Sequence, residues 1–144
     1  LMDWNFSKSF HQTGDKPQYL LIADDAVGGY FALNGGSLGN NLGKVYYFST
    51  KDNRWHDLNF SYSEFLAWAL NGDLGAFYQG LFWPTWQADV KQLDGNSVFV
   101  FLPDLAEDKE TPIAQREKRE VAIETHYSGV FAEKDKFAQA YSVA

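Results

Sequence analysis

The stretch from Tyr19 to Leu70, YLLIADDAVGGYFALNGGSLGNNLGKVYYFSTKDNRWHDLNFSYSEFLAWAL, limits what this chain can fold into more than any other. Tyr19-Leu20-Leu21-Ile22-Ala23 and Tyr30-Phe31-Ala32-Leu33 are short, continuous apolar runs bounded by turn residues, which predicts buried strands. Asp24 to Gly29 turns the chain between them, its two glycines open to positive φ. Asn34 to Gly43, five of whose residues are Gly or Ser, reads as a hairpin loop. Lys44 to Ser49 supplies a third strand and the stretch near Arg54 to Leu58 a short fourth. Strands this close together leave no room for helical crossovers, so the unit is an antiparallel meander.

A helix follows with its start written into the sequence. Ser61 and Glu64 have the spacing of a capping box, each side chain satisfying an otherwise free amide at the other's position. Phe60 and Phe65 flank it as a hydrophobic staple. Tyr62, Phe65, Leu66, Ala69 and Leu70 share a helical face, and Gly72 is expected to end the helix in a left-handed conformation. Asp73 caps a second short helix carrying Leu74, Phe77, Tyr78 and Leu81. Trp83-Pro84 opens a third, with Trp86, Val90 and Leu93 as its apolar stripe. Ser97 to Leu102 is a fifth strand, stopped by Pro103. The fold class is therefore α+β: a mostly antiparallel sheet of about five strands flanked by helices.

Composition changes after Pro103. Residues 104–144 hold nearly half the charged residues, while Tyr127, Phe131, Phe137 and Tyr141 are their only aromatics among 5 Trp, 8 Tyr and 12 Phe. The chain divides into a core, 1–103, and a charged C-terminal extension, 104–144, within the same domain or as an interaction tail. Thr111-Pro112 has the form of a helix start, and Ala114, Lys118, Val121, Ala122 and Thr125 share a helical face. Val121, Ile123, Thr125 and Tyr127 alternate as a strand would. The helical reading is preferred. Val130, Phe131, Lys134, Phe137, Ala138 and Tyr141 suit a second amphipathic helix. At the other end, Trp4, Phe6 and Phe10 punctuate a polar entry segment. The chain begins Leu1-Met2, so a leader or N-terminal segment could precede it.

A net charge of −7 repels phosphate backbones and anionic lipid, which disfavours nucleic acid and membrane as partners. It attracts a basic protein. With no Cys there is neither disulfide nor thiolate chemistry, in keeping with the cytoplasm. No apolar run approaches the ~20 residues of a membrane span.

Several of these residues together resemble a known family. Ile22-Ala23-Asp24-Asp25, Gly28 to Leu33, Val45-Tyr46-Tyr47-Phe48, Trp55 and Ser63-Glu64-Phe65-Leu66 look like the signature of the SUKH superfamily. ADDAVGGYFALNGG, SYSEFL, GDLGAFYQGLFWPTW and Val98 to Leu102 resemble an uncharacterised bacterial family described as a domain of unknown function. The resemblance covers residues 1–103, and members of that family carry an additional N-terminal segment. SUKH domains are α+β, and many are immunity proteins that neutralise bacterial toxins by binding them. The resemblance thus implies a non-enzymatic protein-binding domain, an immunity-type antagonist whose partner is a basic toxin.

The alternative is a small-ligand or carbohydrate-binding domain with an aromatic pocket, including a weak hydrolase. It would draw on Asp24 and Asp25 and on Trp83 and Trp86. Adjacent residues of an extended chain point to opposite faces, so the two acids make a poor chelate, and turn chemistry is the preferred role. Trp83-Pro84-Thr85-Trp86 stands at a helix start, where at least one ring could be exposed. Asp24, Asp25, Tyr30, Trp83 and Trp86 are the candidate binding surface. His11, His56 and His126 lack metal-ligand spacing, and the glycine loop leads to a strand rather than the helix N-terminus a phosphate needs. No cofactor, metal or catalytic constellation is implied. The extension from Thr111 is a candidate for homodimerisation.

Overall fold

The computed structural model describes residues 18–131. The entry segment with Trp4, Phe6 and Phe10, and the helical spacing through Lys134, Phe137, Ala138 and Tyr141, lie outside the described residues. The protein is α+β. Strands β1 (Tyr19–Asp24), β2 (Tyr30–Asn34), β3 (Val45–Ser49) and β4 (Arg54–Phe60) form an antiparallel sheet in sequence order, the expected meander.

Both faces of β2 and β3 are covered, which is why these strands read as continuous apolar runs rather than alternating ones. Register pairs Tyr30 with Phe48 and Ala32 with Tyr46, while Phe31 pairs with Tyr47 and Leu33 with Val45. Tyr30, Ala32 and Phe48 pack on one face with Leu21, Val98, Ile123, Tyr127 and Phe131. Phe31, Val45 and Tyr47 pack on the other with Phe65 and the half-buried Trp68 and Phe77. Every residue of β3 is buried.

Helix α1 (Tyr62–Asn71) starts as expected: the Ser61 side chain accepts from the Glu64 amide and Glu64 from the Ser61 amide. Its buried stripe is narrower than the sequence reading. Phe65, Trp68 and Ala69 meet the sheet, whereas Tyr62, Leu66 and Leu70 are 49%, 42% and 81% exposed. The bulk of Phe65 and Trp68 fills the space beneath the helix and turns the next row outward. Gly72 has φ −80°, so it is extended, not left-handed. Glycine is needed there for closeness: a Cβ would lie 2.5 Å from the Trp68 carbonyl oxygen.

Asp73 caps α2 (Leu74–Phe77) through the Ala76 amide. Helix α3 (Trp86–Gln92) begins at Trp86 with Thr85 as its N-cap, two residues later than Pro84 implied. Strand β5 (Ser97–Leu102) does not join the meander. It pairs with β6 (Glu117–Ala122) in a separate two-stranded antiparallel sheet, giving six strands in two sheets. The helical reading of residues 111–125 gives way here. After a single 3-10 turn, Ile113–Gln115, β5 supplies a ladder that local spacing cannot reveal. Residues 123–131 then form a helix, α4. Ile123, Tyr127 and Phe131, four residues apart, put one face of it onto the sheet. The described part of the extension thus belongs to the core.

Arg116 fastens the loop between β5 and β6. It is 8% exposed, and its Nε, Nη1 and Nη2 donate to the carbonyls of Pro103, Asp104, Asp108 and Thr111. A buried guanidinium with all its faces hydrogen-bonded is a structural clamp.

Candidate functional site

The β1–β2 turn sits where the two sheets meet. The Phe99 amide of β5 donates to the Ala26 carbonyl at 2.8 Å, and Val27 packs with Leu81, Trp83, Phe99, Phe101 and Ile113 in a second core. Asp25 holds the turn together. One carboxylate oxygen accepts from the amides of Val27 and Gly29, at 3.1 and 2.7 Å. The other accepts from the hydroxyls of Tyr47 and Tyr78, at 2.7 and 2.9 Å. Four donors occupy the group, which explains why an acid can turn inward here. Burial, and next the charge of Asp25, push the phenols of Tyr47 and Tyr78 above the usual range, so both stay protonated donors.

The two glycines of the turn serve different needs. Gly28 has φ +84°, and a Cβ on it would also strike the His126 ring at 2.6 Å. Gly29 is required by contact alone: its Cβ would lie 2.2 Å from the Tyr47 hydroxyl.

His126, from α4, reaches the same junction. Its Nδ1 is 2.8 Å from the Tyr30 hydroxyl, and the two rings stack with centroids 5.8 Å apart. Burial holds the imidazole below its ordinary value, while the charges of Asp25 and Asp104 oppose the shift. His126 also borders a cleft of about 450 Å³ between the sheets, lined as well by Thr50, Asn53 and Asp104. The Thr50 hydroxyl is buried with no hydrogen-bond partner among the described residues.

The five candidate surface residues do not share one surface. Tyr30 is 0% exposed and lies in the core; its hydroxyl is spent on His126, so it offers a partner no direct contact. Trp83 is 7% exposed. Its indole donates to Asp89 at 2.6 Å, and the Lys118 ammonium lies 4.9 Å from its ring centroid. Asp89 is held down at about 2, first by its hydrogen bond from Lys118, then by those from Trp83 and Thr85. Trp86 is half-buried and stacks on the exposed Phe82 at 4.9 Å. Asp25, Trp83 and Trp86 do line one groove of about 160 Å³, with Phe82 and Val90 at its rim. Asp24 stands apart, at a separate cleft beside Gly95 and Asn96. Desolvation, then the Asp25 charge, push its carboxyl up to about 6. Because the residue is also open to solvent, screening keeps the consequence for stability small.

The glycine loop is a hairpin held by one amide. Asn34, 3% exposed, donates to the carbonyls of Gly39 and Asn41 and accepts from the amides of Gly36 and Leu38. Among the described residues no group of three His, Asp or Glu side chains could hold a metal ion. No described helix is long and apolar enough to cross a membrane.

Over residues 1–126 the chain matches the family described as "Protein of unknown function DUF2625". The chain belongs to that family. The match runs past Pro103 through β6 and into α4, so the DUF2625 unit includes the second sheet and His126. A relative from Haemophilus influenzae, described as an uncharacterized protein, is 71% identical over all 144 residues, which make up 63% of its length. One from Escherichia coli K12, described as putative uncharacterized protein YbfG, is 50% identical over 86 residues, 60% of this chain and 40% of that protein. The chain therefore spans less than two thirds of these curated relatives. No solved structure matches it.

Sequence reasoning missed Tyr47, Tyr78, His126 and Thr50 as members of this junction. Tyr78 lies 53 residues from Asp25, and His126 lies 96 from Tyr30. No local pattern links them. The one usable signal was the paired glycine after Asp25, which marks a place where other groups come close.

Proposed function

We propose that this DUF2625 chain is a non-enzymatic protein-binding domain, an immunity-type antagonist that meets a basic toxin in the bacterial cytoplasm. The observation that carries this reading is the contrast between its acids and its apolar groove. Asp25, one of the two adjacent acids from which acid/base chemistry would have to start, is consumed by four donors. The groove beside it stays open, edged by Phe82, 39% exposed, and Val90, 36% exposed. A net charge of −7 steers a basic partner toward such a surface, and an aromatic anchor such as Trp86 is the residue type that dominates interface energies. The SUKH-like pattern of the meander and capped helix supports the same class by analogy. Ile113, Ile123, Tyr127 and Phe131 are committed to the core, so self-association through the extension from Thr111 would have to draw on its other residues.

The test is to capture the partner from the native host, purify it, and titrate it calorimetrically against the chain at about 0.05 and about 0.5 M salt. Affinity should fall with salt, and by roughly tenfold or more in Trp86→Ala. A partner indifferent to salt, Trp86→Ala and Phe82→Ser alike would end this reading.

A second reading rests on the same groove: Trp83 and Trp86 both line it and Asp25 forms part of its wall, as a carbohydrate or small-ligand pocket requires. It ranks below the first. About 160 Å³ is less than the roughly 300–1,000 Å³ of ordinary ligand sites, and the Trp83 indole is tied to Asp89. Transfer of NMR saturation to mono- and disaccharides, lost in Trp86→Ala, would reverse that ranking.

A further inference from the structure

Strand β5 carries unspent backbone hydrogen bonds on the edge away from β6. In an antiparallel pair, residues alternate between those bonded to the partner strand and those whose N–H and C=O turn outward. The Ile123 amide donates to the Asn96 carbonyl at 2.8 Å, which continues the bonded register through Val98, Val100 and Leu102. The Phe99 amide donates instead to Ala26, on the opposite edge. The Phe99 carbonyl and both backbone groups of Phe101 therefore face away from β6. Among the described residues none pairs with them.

This is not an edge bathed in water. Phe101 is 3% exposed, and buried backbone groups without partners are rare in folded proteins. The edge forms part of the lining of the 450 Å³ cleft, together with Thr50 and Gly129 of α4. Among the described residues the Thr50 hydroxyl is unpartnered as well, and a Cβ on Gly129 would meet nothing within 4 Å. A strand added beside β5 would lie about 4.8 Å away and rise about 3.3 Å per residue, so three residues need about 10 Å.

Charge states what kind of segment would enter. Asp104 lines the cleft, whereas among the described residues no Lys or Arg does. One Asp104 oxygen accepts from the amides of Ala106 and Glu107, which leaves the other to a ligand. Glu107, Asp108 and Glu110 follow in the same loop. Its Lys109 turns to the Lys51 carbonyl, and Arg116 is spent on carbonyls.

We propose that the free edge of β5 receives an extended, basic segment of a partner protein by strand addition, with Phe101 bonding its backbone and Asp104 its cationic side chain. This deepens the protein-binding reading and rests on it.

The probe is a hexapeptide of alternating lysine and valine, titrated into the isotopically labelled chain and followed by NMR. The amide signals of Thr50, Phe101 and Asp104 should move, and exchange of the Phe101 amide should slow by roughly tenfold or more. A version with proline at the centre and one with glutamate for lysine should each bind roughly tenfold more weakly or worse. Gly129→Leu, which fills the cleft, should abolish binding while keeping the unfolding midpoint. A Phe101 amide already protected in the free chain, meaning the chain's own residues cover the edge, overturns the proposal. So does a proline peptide that binds equally well, or undiminished binding in Gly129→Leu. A captured partner sensitive to Trp86→Ala but not to Gly129→Leu overturns strand addition and leaves the broader binding reading standing.

Discussion

Replacing Asp25 with alanine removes one acceptor group and leaves four donors without it: the amides of Val27 and Gly29 and the hydroxyls of Tyr47 and Tyr78. A buried donor left unpaired costs about 1–3 kcal/mol. Val27, Gly29 and Tyr47 are buried, while Tyr78 is half-buried and can turn toward water. Three full penalties near the low end and one partial one come to about 3–5 kcal/mol. That is a large share of the roughly 5–15 kcal/mol that holds a domain together. At about 2–4 °C per kcal/mol for a chain approaching this size, the melting temperature should drop by about 10 °C. Asp25→Asn should cost less, about 1–3 kcal/mol, because its oxygen still accepts and a rotated tyrosine hydroxyl can take up the new N–H. Urea unfolding followed by tryptophan fluorescence would read both as shifts in midpoint at constant slope. Combining Asp25→Ala with Tyr78→Phe should show a coupling of about 1–2 kcal/mol. An Asp25→Ala chain within about 0.5 kcal/mol of the parent, or more stable than it, would refute the reasoning. The carboxylate would then be held against the interests of folding, as a binding or catalytic acid is.

Gly29→Ala should destabilise by about 1–3 kcal/mol, since its Cβ meets the Tyr47 hydroxyl at 2.2 Å; Gly95→Ala, with nothing within 4 Å, should leave the thermal midpoint unchanged. His126 is held below its ordinary 6.5, so its contribution is complete above that value and drains away as pH falls through the lowered folded value. His126→Gln should flatten the denaturant midpoint against pH as pH falls below that ordinary value, and an unaltered slope would count against burial as the cause. Arg116→Met should cost about 2–4 kcal/mol by stranding the carbonyls of Pro103, Asp104, Asp108 and Thr111, and limited proteolysis should then cut first within residues 104–111.

The meander and the capped helix were legible because their signals are local. A strand ends where Gly and Asn collect, and Ser61 finds Glu64 three residues on. Strand β6 was not legible, because Glu117–Ala122 exposes most of its side chains and is made a strand by β5, whose approach no window of sequence records. The same limit explains α1. Tyr62, Leu66 and Leu70 fit an apolar face by spacing, yet which row of a helix meets the sheet is decided by Phe65 and Trp68 filling the space first.

Residues chosen for chemistry by their type were mostly residues the fold had already engaged. Asp25, Trp83 and Tyr30 are among the most interesting side chains on paper. In the structure each is bound to another part of the chain: to Tyr47 and Tyr78, to Asp89, and to His126. A reactive group needs spare hydrogen-bonding capacity or a shifted pKa facing solvent, and these have spent theirs across the junction of two sheets. Among the described residues, what stays unspent is of another kind. It comprises the backbone of Phe101, the hydroxyl of Thr50 and the apolar rim at Phe82 and Val90. Backbone and apolar surface recognise another chain by shape and ladder rather than by transforming it. That is the physical ground for the proposal that this domain is a binder: its polar side chains build the junction, and the junction leaves an edge.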